Sequence, residues 1–215
     1  MSFINVICQQ GTEDWFNARV GVITASMASE CRKVLVSGPN KGGYSQKAKD
    51  YAFKLAYERI ACEPLDDHEF SPWQAKRGQL LEGDARSAYE AKNGVMVIET
   101  GFALSSDRIF GASVDGLVGD DGNIEIKCFL SPSKLAPILF ENDIGDCSDQ
   151  VQMGMWITGR KWCDFVLYCP ALKSIDRDLT VIRVKRDDEE IQKISEDLLK
   201  FNSFVQSIEN QLRNK

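Results

Sequence analysis

The sequence predicts a mixed α/β fold in which helices cover the faces of a β-sheet. Three observations lead to this prediction. Residues 12–92 carry apolar side chains at helical spacing, short strand-like segments follow between 95 and 128, and two more strands at 162–169 and 179–185 come after further helices. This order of elements is typical of a sheet with helices on both faces: first helices, then a strand meander, then a helical crossover, and finally strands again.

Four helices are predicted in the first 94 residues. A short helix opens at Thr12, and the others span about 24–36, 45–62 and 71–92. Ser71 followed by proline favours a helix start, and Asn93 followed by glycine favours a helix end. The glycine-rich segment between the second and third helices predicts a flexible loop.

The remaining elements follow from a change of period after residue 94. Strands are predicted at 95–99, 101–105, 109–114, 123–128, 162–169 and 179–185, with helices at 133–141, 148–158 and 187–212. We therefore expect one domain, 1–215. It would consist of a mainly helical part (1–94), a sheet-bearing core (95–185) and a C-terminal helix (186–215).

Composition excludes several classes of function. The 215 residues include 26 Lys and Arg against 32 Asp and Glu, which gives a net charge of -6. Such a chain does not coat nucleic acid by bulk positive charge, although a local basic groove remains compatible with it. The single histidine, His68, excludes multi-histidine metal sites and most Ser-His-Asp constellations.

Cysteine usage and hydropathy predict a cytoplasmic protein. The seven cysteines are odd in number, and no pair has Cys-x-x-Cys spacing, so we expect reduced thiols and neither a disulfide framework nor a zinc site. No apolar run approaches the roughly 18 residues of a membrane helix. No basic residue precedes the short apolar stretch at the N-terminus, so we expect no signal peptide.

The stretch 111–128 carries the chemistry. Alternation on a strand places Glu125 and Lys127 on one face, while the isoleucines between them face a core. Asp115 ends the preceding predicted strand, and a hairpin could bring it beside Glu125. Two carboxylates and an ammonium at one end of a sheet suit a hard cation such as Mg²⁺ or Mn²⁺. The alternative is a solvated Glu-x-Lys pair beside an ordinary Asp-Gly turn.

Other motif assignments fail for this stretch. The spacing from Asp115 to Glu125 does not fit an EF-hand. Ser113 lacks the second glycine of a nucleophile elbow and a histidine to serve it. The sequence contains no Gly-x-x-x-x-Gly-Lys phosphate loop.

Three more blocks accompany this stretch in a fixed order. They are Trp15 with Arg19–Ser26 (RVGVITAS), Gly78–Arg86 (GQLLEGDAR) and Gln150–Trp156 (QVQMGMW). With Asp115 and Glu125-Ile126-Lys127, these blocks resemble the lambda exonuclease group, or YqaJ-like viral recombinases, of the PD-(D/E)xK nuclease superfamily. Val114 and Phe129 stand where that family often has proline, and both suit a strand.

The resemblance implies a restriction-endonuclease-like core and assigns roles to residues. Asp115, Glu125 and the Ile126 carbonyl would bind the metal, Glu82 would be a further metal or water ligand, and Lys127 would act on the attacking water. Gln150 would lie near the site, and the DNA phosphates would be held by Arg19, Thr24, Ser26 and Lys134. Each also has a structural alternative: Glu82 as a surface helix residue, Gln150 as a helix-start hydrogen bond, and Arg19 as an ion-pair partner of an acid such as Glu13.

The implied activity is a Mg²⁺-dependent 5′→3′ exonuclease, with Mn²⁺ as a substitute. It would act on linear double-stranded DNA, preferably with 5′-phosphorylated ends, and leave 3′ single-stranded tails for recombination. The resemblance also implies a homotrimeric ring and a single-strand annealing protein as partner. Two alternatives stay open: a related endonuclease or repair nuclease, and a catalytically silent DNA-end-binding module.

Overall fold

The computed structural model describes residues 3–65 and 73–214 and has a mixed α/β architecture. Its helices are α1 (Glu13–Ala18), α2 (Ala28–Arg32), α3 (Gln46–Ala61), α4 (Trp73–Asn93), α5 (Pro132–Glu141), α6 (Cys147–Thr158) and α7 (Asp188–Arg213). Its strands are β1 (Phe3–Val6), β2 (Ile23–Thr24), β3 (Val97–Ile98), β4 (Phe102–Ser105), β5 (Phe110–Ala112), β6 (Gly116–Val118), β7 (Gly122–Lys127), β8 (Trp162–Tyr168) and β9 (Leu179–Lys185). The fold class predicted from the sequence is confirmed.

The strands form two mixed sheets. The first has the order β1-β4-β5-β2, with only the β2–β5 pair parallel. The second has the order β3-β6-β7-β8-β9, with only the β7–β8 pair parallel. Since parallel neighbours need a crossover, the chain leaves β7 through α5 and α6 before it returns as β8.

The side chains of β7 divide between two layers. Ile124 and Ile126 pack with Tyr89 of α4 in one buried cluster. The alternate residues face the other way: Asn123 donates a hydrogen bond to Thr158 of α6 at 3.0 Å. The predicted alternation along this strand is therefore confirmed, and it sets polar groups against α6 and apolar groups against α4.

Several predicted boundaries shift in the structure. The helix expected at 24–36 consists of a 3-10 turn at Ala25–Met27 followed by α2, and it ends at Arg32 because Val34 pairs with Tyr44 in an antiparallel bridge. Strand β1 was not predicted; its exposed residues carry little burial pattern and pair with β4. The predicted helix start at Ser71 and the predicted loop position of His68 lie outside the described residues.

The helix predicted for 45–62 is confirmed. Ser45 accepts a hydrogen bond from the Ala48 N–H at 3.1 Å, as a helix cap does, and Cys62 adopts a left-handed conformation after the last turn. All seven cysteines are free thiols. Among the described residues, no helix combines the length and the apolar character needed to cross a membrane.

A substitution at Gly111 in β5 would test how tightly the first sheet packs. A Cβ at this position would lie 2.3 Å from Cζ of Phe102, a ring that is fully buried. We expect Gly111→Ala to lower the free energy of unfolding by about 1–3 kcal/mol because the ring must move. Thermal unfolding measures this loss, at about 2–4 °C per kcal/mol for a domain of this size.

Gly78→Ala is the matched control, because a Cβ there meets nothing within 4 Å and Gly78 lies inside α4. It should be neutral or stabilising by up to about 1 kcal/mol. An equal loss of stability in both variants would contradict the packing argument.

Candidate functional site

Asp115 lies at the start of the β6–β7 hairpin. Its backbone N–H donates to the Ile124 carbonyl at 3.1 Å, and its Oδ2 accepts from the Ile126 N–H at 2.6 Å. These two bonds fasten the carboxylate to β7 beside Glu125. The predicted juxtaposition is confirmed, although Asp115 precedes β6 and does not end the earlier strand, which stops at Ala112.

Glu125 is the most enclosed charge of the site, with 4% of its surface exposed. Its Oε1 accepts hydrogen bonds from Lys127 Nζ at 2.7 Å and from Gln150 Nε2 at 2.5 Å. Gln150 comes from α6, which the crossover carries over the polar face of β7. The structure therefore brings together four residues predicted from the sequence: Asp115, Glu125, Lys127 and Gln150.

The neighbouring charge of Glu125 opposes the ionisation of Asp115. Burial, and then the charge of Glu125, raise the pKa of Asp115 to about 7. Burial opposes the charge of Lys127, but Glu125 and Asp115 outweigh it and raise the pKa of the ammonium above its ordinary value. The metal-free site thus has one firmly charged lysine and more negative charge than that lysine neutralises.

Glu82 on α4 completes the acidic edge. Burial, followed by the charge of Asp115, raises the pKa of the Glu82 carboxyl, which places it within electrostatic range of Asp115. Its Oε1 accepts from Arg86 NH2 at 2.7 Å, one helical turn away. Glu82 is therefore a partly buried residue on the helix that packs against β7, and its role as a metal or water ligand stays a prediction.

The donor set fits a hard cation only with help from water. Within residues 3–65 and 73–214, no three His, Cys, Asp or Glu side chains converge on one metal position. Asp115, Glu125 and the Ile126 carbonyl would supply oxygen ligands from one end of β7. Mg²⁺ typically keeps several waters and takes one or two carboxylates, so this arrangement suits it. Relief of the repulsion between the carboxylates favours the cation.

Arg19 occupies a second part of the site. Its guanidinium carbon lies 3.9 Å from the ring centroid of Trp15 and 5.7 Å from that of Phe102. Burial lowers its pKa, yet no acidic side chain of the described residues forms an ion pair with it; the predicted alternative partner Glu13 does not. A half-buried arginine stacked on a tryptophan in this way retains its donors for an anion.

Trp15 connects Arg19 to the carboxylates. The Trp15 indole N–H donates to Ser113 Oγ at 2.8 Å, and Ser113 lies two residues before Asp115. Ser113 was considered from the sequence only as a nucleophile and was not placed in the site. Its spacing from Asp115 was the available signal, because residues two apart in an extended chain point to the same side.

Thr24 and Ser26 lie beside this pocket and differ in exposure. Thr24 is buried, and its hydroxyl lies 3.2 Å from Ser26 Oγ and 3.3 Å from the Tyr51 hydroxyl. Ser26 is exposed and keeps a hydroxyl available at the surface. Tyr51, which was not predicted as a site residue, also accepts from the Thr24 N–H at 3.1 Å. Thr24 therefore supports the pocket from inside.

Lys134 is placed differently from the other predicted residues. It is exposed in the first turn of α5, and its ion-pair partner among the described residues is Asp146 at 3.7 Å. Asp146 also binds Lys33 at 2.9 Å. No hydrogen bond or ion pair within the described chain connects Lys134 to Asp115 or Glu125.

Comparisons with known proteins show the family and the fold of the chain. Residues 14–161 match the YqaJ-like viral recombinase domain. An alkaline exonuclease (LHK-Exo) from Laribacter hongkongensis has 31% identity and a TM-score of 0.78, with 94% of this chain and 97% of that chain covered. Its complex with dAMP gives 32% identity and a TM-score of 0.80 at the same coverage. The fold is thus of the restriction-endonuclease-like type.

A more distant structure shares the fold alone. It is a phage-related exonuclease from Haemophilus somnus 129PT, with 18% identity, a TM-score of 0.66, and coverage of 90% of this chain and 95% of that one. No curated protein sequence matches the chain.

The raised pKa of Asp115 predicts a pH-dependent effect of Asp115→Asn on metal-free protein. An unfolded aspartate ionises near pH 4, whereas folded Asp115 holds its proton to about pH 7. Ionisation of Asp115 therefore lowers stability as pH rises from about 4 to 7, and the cost persists above that range. Asparagine carries no charge and keeps an oxygen for the Ile126 N–H.

In EDTA we expect Asp115→Asn to unfold at a higher temperature than wild type at pH 8, with the difference vanishing towards pH 4. Thermal unfolding across this pH range measures it. Asp121→Asn, which changes a half-exposed aspartate paired with Lys161, is the control and should show no such trend. A difference in unfolding temperature between Asp115→Asn and wild type that does not change with pH would contradict the raised pKa of Asp115.

Proposed function

Since the chain belongs to the YqaJ-like viral recombinase domain family, we propose that it is a Mg²⁺-dependent 5′→3′ exonuclease of linear double-stranded DNA. Mn²⁺ would substitute for Mg²⁺, and the product would be a 3′ single-stranded tail for recombination by strand annealing. The observation that carries the proposal is the carboxylate pair Asp115 and Glu125, fastened to one strand and contacted by a charged lysine.

The mechanism assigns each residue one task. Asp115, Glu125 and the Ile126 carbonyl would hold the cation, whose chemistry is to acidify a bound water and to neutralise charge on the scissile phosphate. Lys127, kept charged by its acidic neighbours, would donate a hydrogen bond that orients the attacking water. Gln150 would keep Glu125 in place through its amide N–H.

The arginine pocket would select the DNA end. A terminal phosphate carries more negative charge than an internal diester near neutral pH, since its second pKa is about 6. Arg19 offers a planar fork, and the hydroxyls of Ser26 and Ser113 would add hydrogen-bond donors. This pocket would favour a 5′-phosphorylated end and place the next phosphodiester at the carboxylates.

The assembly is also part of the proposal. We expect a homotrimeric ring and a single-strand annealing protein as partner. A ring retains duplex DNA topologically, so a protein with a net charge of -6 needs only a few phosphate contacts.

Two competing functions make different predictions. A related endonuclease would cut closed circular DNA, and a silent end-binding module would cut nothing. The test is digestion of 5′-labelled linear and closed circular duplex with Mg²⁺ or with EDTA. Loss of linear DNA in Mg²⁺ only, with circles intact, supports the exonuclease; cleavage of circles supports the endonuclease.

Glu125→Gln tests the metal site within that assay. The change keeps the side chain's shape and removes the charge that binds the cation, so digestion of linear duplex should fall by about 10²-fold or more. Glu209→Gln is the control: Glu209 is also a largely buried glutamate in an ion pair, with Arg59 on α3. Wild-type digestion by Glu125→Gln would refute the carboxylate assignment.

Lys127→Ala separates chemistry from binding. The variant retains both carboxylates, so binding of DNA ends in Ca²⁺ should persist, because Ca²⁺ occupies oxygen sites but supports little cleavage. Turnover in Mg²⁺ should be lost. Fluorescence anisotropy and digestion rates measure the two effects, and a parallel loss of both would make Lys127 a binding residue.

Arg19→Ala tests the end pocket. Wild type should start faster on 5′-phosphorylated than on 5′-hydroxyl duplex, and the variant should lose most of that preference. A charge-assisted contact contributes about 1.5–3 kcal/mol, which corresponds to roughly ten- to hundredfold. Initial rates on both substrates measure it. Equal rates of wild type on the two ends would remove the pocket assignment and leave the nuclease assignment standing.

A further inference from the structure

Arg86 on α4 forms ion pairs with two acids, Glu82 and Glu99. Its side chain is 15% exposed, and its two terminal nitrogens bind different acids: NH2 lies 2.7 Å from Glu82 Oε1, and NH1 lies 2.5 Å from Glu99 Oε1. Its Nε is buried and makes no hydrogen bond within the described residues. Each terminal nitrogen of the guanidinium is therefore held by a different carboxylate.

The two acids differ in their surroundings. Glu99 is 70% exposed and lies between β3 and β4, outside the carboxylate cluster. Glu82 is 29% exposed and lies within electrostatic range of Asp115. Because Arg86 binds Oε1 of Glu82, the orientation of that carboxylate is set from one side.

Arg86 also acts on the cluster by its charge. Its guanidinium attracts the carboxylates of both Glu82 and Asp115. The same positive charge repels a cation bound by these acids. By orienting Glu82, Arg86 would favour turnover, whereas by repelling the cation it would weaken metal binding. The role of Arg86 can therefore be measured by comparing turnover with metal affinity.

We propose that Arg86 is a positioning residue for phosphodiester hydrolysis: anchored by Glu99, it fixes the Glu82 carboxylate in the orientation used at the reacting centre. The inference rests on the proposed function. The competing explanation is an ordinary i,i+4 helix ion pair, which contributes slightly to stability and nothing to catalysis.

The proposal predicts that metal affinity and turnover move in opposite directions. Arg86→Gln removes the repulsion, so Mn²⁺ should bind the DNA-free protein as tightly as wild type or up to about tenfold tighter. The same variant frees Glu82 to rotate, and turnover at saturating metal should fall by about ten- to hundredfold. A structural defect would weaken both together.

Three further variants sharpen the test. Arg86→Lys retains the charge but not the fork, so Mn²⁺ affinity should match wild type while turnover is intermediate. Glu99→Gln releases only the outer anchor and should slow turnover by a smaller factor. Glu209→Gln, which breaks an ion pair of comparable burial between α3 and α7, should leave affinity and turnover unchanged.

The measurements are calorimetric Mn²⁺ binding without DNA and digestion rates of linear duplex across Mg²⁺ concentrations. Maintained or tighter binding with slower turnover in Arg86→Gln supports the proposal. Wild-type turnover in Arg86→Gln, or parallel loss of affinity and turnover, overturns it. If wild type digests no DNA, the proposed function fails instead, and that result is recognised before any variant is compared.

Discussion

The parallel pairing of β7 with β8 determines the arrangement of the site. Parallel neighbours cannot be joined by a hairpin, so the chain crosses over through α5 and α6. This crossover lays α6 over the face of β7 that carries Glu125, and Gln150 reaches Glu125 from there. On the opposite face, Ile124 and Ile126 pack against α4. The crossover thus places α6, with Gln150, on one side of β7, while α4, with Glu82, lies on the other side.

The position of α6 is reinforced by an ion-pair network at its first turn. Arg32 at the end of α2 binds Asp149 at 2.6 Å, next to Gln150, and also binds Glu190 at 3.0 Å and Asp197 at 3.3 Å on α7. Three acids from two helices thereby converge on one guanidinium. A network of this kind orders side chains more effectively than isolated surface pairs do, since one arginine is already held when each further acid binds.

Charge is distributed unevenly through the site. Around Asp115 and Glu125 the acidic side chains outnumber the basic ones. Burial and the charge of Glu125 raise the pKa of Asp115. At Arg19, the guanidinium stacks on Trp15 and forms no ion pair among the described residues, although the charge of Glu58 acts on it. A cation at the first place and a phosphate at the second would relieve both imbalances. The two places are joined by the Trp15–Ser113 hydrogen bond, so the ligands would be bound at a fixed spacing.

Local sequence determined the features that depend on spacing within one element. The helix from Gln46 to Ala61 followed from its apolar period and its Ser45 cap, and the separation of Glu125 from the core-facing isoleucines followed from strand alternation. The resemblance carried by four blocks added Glu82 and Gln150 as predicted site residues, because periodicity alone could not distinguish them from surface positions.

Tertiary structure decided what depends on contacts between distant segments. Gln150 meets Glu125 across 25 residues, and Trp15 meets Ser113 across 98, so neither contact is encoded in a local period. The early end of the helix at Arg32 and the presence of β1 likewise depend on partners, Tyr44 and β4, that the chain supplies later. The physical reason is that spacing determines which side chains share a face, whereas the topology of the sheet determines which faces meet.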